Sequence, residues 1–292
     1  MNRTLRITDA GPLLPYLLAT LGLKRAAVKQ LLKFGAVRVN GVPVRQFDEM
    51  LAPGDEVIVG NLQAAVASER LERARIQPVY EDAALIVVEK PAGLLTVATD
   101  IENTKTLYVQ LNDYLRGRSG SDPQRAFVVH RIDRETSGLV LFAKSEAVKR
   151  LLQAAWPAVE KRYLAVVEGE PAADEGTVTN YLTEDRRSLR VLATAYPLPE
   201  SRLATSHYRL LEARCDRALV EVRLETGRKH QVRVHLAGLG CPVVGDRRYG
   251  KRAAAGERLA LHAGGLRFAH PVTGELLDFR SPLPAAMRKL LS

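Results

Sequence analysis

The run His130-Arg131-Ile132-Asp133-Arg134-Glu135-Thr136-Ser137-Gly138 sets a carboxylate between two arginines immediately before the apolar stretch Leu139-Val140-Leu141-Phe142-Ala143. Charge followed at once by five apolar residues implies a turn that feeds a strand. Asp133 has two readings here. Flanking positive charge favours the ionised carboxylate, which makes it available as a nucleophile. Equally, Asp133, Thr136 and Ser137 are residue types that hydrogen-bond their own backbone, and Gly138 supplies a bend, so the run also reads as a surface turn.

Composition narrows the partners. The 292 residues carry a formal net charge of +10 and 46% hydrophobic residues, enough for one large domain, or a large and a small one, around a real core. Strong positive charge favours a polyanion, because lysine and arginine that neutralise phosphates release condensed counterions. No stretch approaches the ~20 apolar residues of a membrane span, and MNRTLRITDAGPLL lacks the charged-then-apolar order of a secretory signal. A cytoplasmic location without membrane attachment is expected. Cys215 and Cys241 form no C-x-x-C pair and cannot build a disulfide framework. The six histidines show no zinc spacing; a His230, His235 and Cys241 set would be unusual, and no metal is expected.

Residues 1–60 read as a unit of their own. Leu13 to Leu21 predicts one helix and Lys24 to Lys33 a second, with Ala26, Leu31 and Leu32 as apolar contacts and Gly35 at the stop. Asn40-Gly41 lies between two short alternating runs, the strongest local hairpin signal, and APGDEVIV supplies a turn and a closing strand. Eight basic residues face five acidic ones in this segment. Lys24, Arg25, Lys29 and Lys33 fall in one helical stretch, where the spacing 25, 29, 33 aligns three charges along one side, a stripe able to follow a phosphate backbone. Arg38 in the hairpin joins them as an RNA-binding candidate. This helix-helix-hairpin order, with VRVNGVPV followed by PGDEVIV, resembles the S-four-like RNA-binding module; the alternative is a small αβ cap on the main domain. Residues 61–77, charged and alanine-rich without proline or glycine, are expected to be a helical or loosely ordered linker.

From 78 to 292 short strands alternate with helical patterns. Ala84 to Val88 is an apolar run suited to a buried strand, while Leu107, Leu111 and Leu115 predict a helix over 106–115 packed on the sheet. Arg116 to Gln124, rich in Gly, Ser and charge, reads as an exposed, mobile loop. Leu139 to Ala143 predicts a strand and 149–156 a helix ended by Pro157. Tyr163 falls in the strand-like YLAVV, where a tyrosine is ordinarily a half-buried packing residue. Val220, Val222 and Leu224 alternate with Glu221 and Arg223 in a strand that leads into Thr226-Gly227-Arg228. In the helix that follows, Val232, Leu236 and Leu239 make an apolar stripe, His230 and Arg233 sit three apart on another face, and Gly240 marks the end.

HRIDRETSGLVLFAK closely resembles the signature of the RluA-type pseudouridine synthases. Further matches follow in order: EDAALIVVEKPAGLLTV at 81–97, KRYLAVVEG at 161–169, TGRKHQVRVHLAGLGCPVVGDRRYG at 226–250, LALHA at 259–263 and His-Pro at 270–271. The resemblance implies an α+β fold over 78–292, a mixed, largely antiparallel sheet flanked by helices, preceded by the small αβ RNA-binding domain. It implies an isomerase that detaches uracil from ribose, rotates it and rejoins it through carbon 5, with neither cofactor nor metal. By the same resemblance Asp133 is the nucleophile, acting on the anomeric carbon or on the base; Tyr163 lies against the target base and assists proton transfer; Arg233 pairs with Asp133. Arginine holds a carboxylate in a two-pronged geometry that lysine cannot reproduce, so such a pair orients the nucleophile and keeps it charged. Arg228, His230 and Gln231 are candidates to bind phosphate or frame the pocket, and Arg131 to hold the flipped nucleotide or fill the space it leaves. Ile132 replaces the commoner Leu, and KPAGLLTVATD lacks the His-Pro of some members; both bear on the subgroup and hence the substrate.

HRID is superficially like the H-R-D loop of protein kinases, but it has an extra residue before the Asp, no glycine-rich loop precedes it and no D-F-G follows. A glycosidase places two carboxylates across the scissile bond, and Glu135 lies only two residues from Asp133. The competing class is a non-catalytic RNA-binding assembly factor, against which the presence of Asp133, Tyr163 and Arg233 together argues. The expected substrate is structured RNA, with large-subunit ribosomal RNA favoured over transfer RNA by the fused RNA-binding module. The chain is expected to act as a monomer.

Overall fold

The computed structural model describes residues 3–73, 76–99, 102, 104–118, 124–185, 188, 190–250 and 257–292. They fall into two compact units, Met1–Ile76 with Leu107–Ala126, and Gln77–Thr106 with Phe127–Ser292. In the first, β1 (Arg3–Arg6), β2 (Gly11–Pro12), α1 (Leu13–Leu21), α2 (Arg25–Lys33), β3 (Val37–Val39), β4 (Val42–Pro43), β5 (Met50–Leu51), β6 (Glu56–Val59) and α3 (Leu62–Arg73) follow one another, and α4 (Leu107–Arg118) joins them. α1 spans the residues its pattern predicts, and α2 starts one residue late because Lys24 is extended at the N-cap. Ala26 is exposed, contrary to expectation; Val28, one turn before Leu31 and Leu32, fills the core with them beside Leu13, Leu14 and Leu17. Asn40 (φ 50°) and Gly41 (φ 81°) supply the paired left-handed turn that joins β3 to β4. Asn40 also ties the hairpin to the closing strand, donating to Asp55 Oδ1 at 2.8 Å and accepting from Glu56 N–H at 2.9 Å. The expected linker contains α3, and the expected helix over 106–115 is α4, whose partner is α3. Residues 119–123 of the expected mobile loop lie outside the described residues.

The second unit contains β7 (Gln77–Glu81), β8 (Leu85–Lys90), β9 (Phe127–Val128), β10 (Ser137–Ala143), α5 (Glu146–Ala155), β11 (Glu160–Glu168), β12 (Glu175–Asp185), β13 (Arg190–Thr194), β14 (Arg202–Arg214), β15 (Arg217–Leu224), α6 (Gln231–Gly238), β16 (Leu261–Ala269), β17 (Leu276–Arg280) and α7 (Ala285–Arg288). Among the described residues its strands form one 11-stranded sheet in the order β13-β12-β14-β15-β11-β16-β10-β8-β7, with β17 added to β16 and β9 to β10. Only the β10–β16 pair is parallel among these, so the fold is α+β with a mixed, largely antiparallel sheet.

β10 is an interior strand between β16 and β8, and all seven of its residues are buried. α5 begins at Glu146, three residues before the expected start, because Ser145 Oγ accepts from Val148 N–H at 3.2 Å and caps it. No helix among the described residues is long and apolar enough to cross a membrane.

Candidate active site

Asp133 sits on the turn that enters β10, and its main chain is held from several sides. Its carbonyl accepts from Thr136 N–H at 3.2 Å. Thr96 Oγ1 donates to Ile132 O at 2.9 Å. The buried Lys90 directs its ammonium at three carbonyls, Pro91 O at 2.9 Å, Leu94 O at 2.8 Å and Arg134 O at 3.1 Å, which uses its three N–H donors to tie the Asp133 turn to the segment after β8. Gly93 N–H also donates to Arg134 O, and Arg134 Nε donates back to Gly93 O at 3.0 Å. The surface-turn reading and the site reading thus describe the same residues: the backbone makes the turn and the carboxylate is left over.

The flanking arginines are not what faces that carboxylate. Arg134 is exposed and spent on Gly93, and Arg131 is exposed at the rim of the cavity. Instead Arg233 Nη1 lies 3.5 Å and His230 Nε2 3.8 Å from Asp133 Oδ2, both from the start of α6. The expected two-pronged grip of Arg233 exists, but on a different carboxylate. Arg233 Nε and Nη2 bind Asp246 Oδ2 and Oδ1 at 2.7 and 2.8 Å, leaving only Nη1 for Asp133. Asp246 is fully buried, whereas the Asp133 side chain is 29% exposed. Burial alone would lower the Arg233 pKa and raise that of Asp246; the bridge between them reverses both shifts, so the two remain a charged pair.

Tyr163 reaches the site through an irregularity of β11: the register against β16 shifts between Arg162 and Leu164, re-aiming the side chain. Burial first, and the Asp133 charge second, push the Tyr163 hydroxyl up from its usual range. It therefore keeps its proton at neutral pH and can exchange hydrogen bonds, but it is no phenolate base. Asp133, Tyr163, Arg233, His230, Arg228, Gln231 and Arg131 all line one cavity of about 560 Å³, walled on another side by Trp156 and Lys161. That volume is within the range of small-ligand sites, about 300–1,000 Å³.

Other residues of the site are fixed internally. Gln231 is buried; its Oε1 accepts from Thr226 Oγ1 and Arg228 N–H at 2.9 Å each, and its Nε2 donates to Thr205 O and Ser206 Oγ at 3.0 and 2.9 Å, so it frames the pocket. Arg228 donates from Nε to Leu203 O at 3.0 Å. His235 uses both ring nitrogens, on Ser206 Oγ at 2.9 Å and Asn180 Oδ1 at 3.0 Å. His130 is a strut: it stacks on Trp156 at 4.3 Å, accepts from Leu141 N–H at 3.0 Å, and is brought by burial down to about 3, hence neutral. Lys24, Arg25, Lys29, Lys33 and Arg38 are all exposed in the first unit, the first at the N-cap of α2, the next three along α2 and Arg38 on β3. Sequence reading assigned no role to Lys90, Asp246 or Tyr249. All three lie inside the motifs at 81–97 and 226–250, and Asp246 has one visible signal, a lone acid after the apolar Val243-Val244 and the turn residue Gly245.

Comparison with known proteins identifies the family. The family described as RNA pseudouridylate synthase matches residues 84–238, more than half of the chain. The uncharacterized RNA pseudouridine synthase YlyB of Bacillus subtilis is 36% identical over 271 residues, 91% of this chain and 88% of that protein. Ribosomal large subunit pseudouridine synthase D of Vibrio parahaemolyticus is 32% identical over 309 residues, 98% of this chain and 92% of that protein. Among solved structures, human RNA pseudouridylate synthase domain containing 4 shares the fold, with a TM-score of 0.63 and 24% identity across 77% of this chain and 94% of that one. With a family match over half its length and relatives above 30% identity across nine-tenths of it, the chain belongs to the RNA pseudouridylate synthase family and is an isomerase that acts on RNA.

Proposed function

We propose that the enzyme converts uridines of large-subunit ribosomal RNA to pseudouridine in the cytoplasm, with Asp133 as nucleophile. The observation that carries this reading is the position of Asp133: a partly exposed carboxylate in a nucleotide-scale cavity, with Arg233 and His230 against its Oδ2 and Tyr163 on the wall. A flipped uridine enters at a cost of about a few kcal/mol for unstacking. Asp133 bonds to the anomeric carbon or to the base, the N1–C1′ bond breaks, the uracil rotates, C5 joins C1′, and the bond to Asp133 breaks to return the free carboxylate. The C5 hydrogen is then lost as a proton and N1 gains one. Arg233 orients the carboxylate, the neutral Tyr163 hydroxyl lies against the base, and Arg131 at the rim holds the flipped nucleotide or fills the space it leaves. The relatives named for the large ribosomal subunit favour ribosomal over transfer RNA. Against a non-catalytic assembly factor stands the convergence of Asp133, Tyr163 and Arg233 in one cavity.

The S-four-like reading of residues 1–60 assigns them affinity for RNA. Arg25, Lys29 and Lys33 replaced together by Gln, a comparable helix former, lower the slope of log affinity against log salt by about 2 to 3, since each phosphate contact contributes roughly 0.7 to 0.9. A titration of large-subunit RNA at several salt concentrations reads this; an unchanged slope removes the stripe from the interface.

Arg233→Lys keeps the charge but cannot hold Asp246 with two prongs and face Asp133 with a third. Its kcat falls by about 10²-fold while KM stays within a few-fold, as expected for a misplaced reacting group. The direct test of the activity is release of tritium from uracil C5 in transcribed large-subunit RNA, since joining C5 to the ribose expels its hydrogen. Faster release from transfer RNA would redirect the substrate.

A further inference from the structure

The two groups that face Asp133, Arg233 and His230, are each held from behind by one residue of the short segment Gly245–Gly250. Asp246 takes the Arg233 fork, and its Oδ1 also accepts the backbone N–H of Arg248 at 2.9 Å and of Tyr249 at 3.1 Å, so the carboxylate shapes the turn that presents Tyr249. Tyr249 Oη lies 2.8 Å from His230 Nδ1 and accepts from Val191 N–H at 2.9 Å. Its ring has the Arg233 guanidinium 5.1 Å from its centroid and that of Arg190 at 5.4 Å. The segment itself is pinned, because Gly245 has φ 75° and a Cβ there would meet Arg258 O at 2.2 Å.

The hydrogen count at His230 follows from these partners. Nε2 lies 3.8 Å from Asp133 Oδ2, and a carboxylate on that side favours the tautomer with its hydrogen on Nε2. Burial, ahead of the opposing pull of Asp133, lowers the His230 pKa, with Arg233, Lys229 and Arg248 acting in the same direction as burial. The ring is therefore neutral, and Nδ1 is left as an acceptor for the Tyr249 hydroxyl hydrogen. His230 is itself in the left-handed region, φ 54°, at the N-cap of α6, a conformation that a non-glycine residue holds only when its surroundings require it.

We propose that Asp246 and Tyr249 are positioning residues for the isomerisation, holding Arg233 and His230 against the same oxygen of Asp133. The proposal rests on Asp133 being the reacting carboxylate. It makes Asp133 Oδ2 the restrained oxygen and leaves Oδ1 to react. Neither residue touches substrate in this scheme, so their loss acts on turnover more than on binding.

The test compares wild type with Tyr249→Phe, Asp246→Asn, Asp246→Glu and Asp133→Asn, measuring tritium release from C5-labelled large-subunit RNA between about pH 5.5 and 8.5, with RNA affinity and thermal melting in parallel. Tyr249→Phe removes one oxygen; kcat falls about 10-fold with KM within about 2-fold. Because the lost hydrogen bond had favoured the neutral ring, the acid limb of the kcat profile moves to higher pH, a change that a role in packing alone does not produce. Asp246→Asn and Asp246→Glu each lower kcat by about 10²-fold, the second despite keeping its charge, because the fork is displaced. Labelled-histidine spectra of Tyr249→Phe give the His230 titration directly. The proposal is overturned if Tyr249→Phe shows wild-type kcat and an unshifted acid limb, or if the variants lose melting temperature and RNA affinity together with no change in pH profile. Substantial turnover by Asp133→Asn would remove the reading beneath it.

Discussion

The expected result for Asp133→Asn is a folded protein that binds RNA and makes no pseudouridine. The substitution is nearly isosteric, and the turn at Asp133 is built from backbone groups, the Thr136 N–H on Asp133 O and the Lys90 and Thr96 contacts to its neighbours. Losing the carboxylate charge does not strand Arg233, which keeps its two bonds to Asp246. Stability should therefore change by no more than about 1 kcal/mol, the scale of a partly exposed polar contact. Affinity for RNA is retained or rises, because a negative group facing the phosphate backbone is gone. Turnover falls by at least about 10⁴-fold, as it does when a nucleophile is removed from an otherwise intact site. Melting, RNA titration and tritium release on one preparation separate these effects. Inactivity accompanied by unfolding would return Asp133 to a purely structural turn.

Gly138→Ala has the largest effect on stability. Gly138 has φ 116°, and a Cβ there would sit 2.3 Å from Ala263 O and 2.7 Å from Ala263 N, both main-chain atoms of β16. This is where β10 and β16 run parallel, Gly138 opposite Ala263 between two interior strands. Neither strand can retreat, since β10 is also paired with β8 along six residues and is buried throughout. The expected cost exceeds about 4 kcal/mol, a large share of the 5–15 kcal/mol that holds a domain together. Gly238→Ala is the control: it lies in α6 with no atom within 4 Å of the added Cβ, and is expected to be neutral or to stabilise by up to about 1 kcal/mol. Urea unfolding of both variants measures the contrast; a Gly138→Ala protein as stable as wild type would contradict the packing described for β10.

What was legible in the sequence was whatever depends on local pattern. Leu13 to Leu21 and the Asn40-Gly41 hairpin carry their signals within a few residues, and the apolar run after Gly138 announces a buried strand wherever it lies. The partners of Asp133 were only half legible. Arg131 and Arg134 stand beside it in the chain, yet Arg134 is spent on Gly93 O and Arg131 is exposed. The residue that meets Asp133 is Arg233, a hundred positions away, known beforehand only by resemblance.

The stripe Val232, Leu236 and Leu239 predicts a one-sided apolar face for α6, but every residue from Gln231 to Leu236 is buried. Gln231, Arg233 and His235 are admitted to the interior because Thr205, Ser206, Asp246 and Asn180 satisfy their polar atoms, and those partners come from β12, β14 and the turn after α6. Periodicity cannot foresee a polar face that is matched from across the fold. The grip of Asp246 on Arg233 was missed for the same reason.

The central claim, that Asp133 of this enzyme makes pseudouridine in large-subunit ribosomal RNA, is tested most directly by nucleotide-resolution pseudouridine mapping. Total RNA from cells lacking the gene would be compared after restoring either the wild-type or the Asp133→Asn sequence. The expected result is a small set of large-subunit positions that lose pseudouridine without the gene, regain it with wild type and stay unmodified with Asp133→Asn; recovery with Asp133→Asn, or changes confined to transfer RNA, would contradict it.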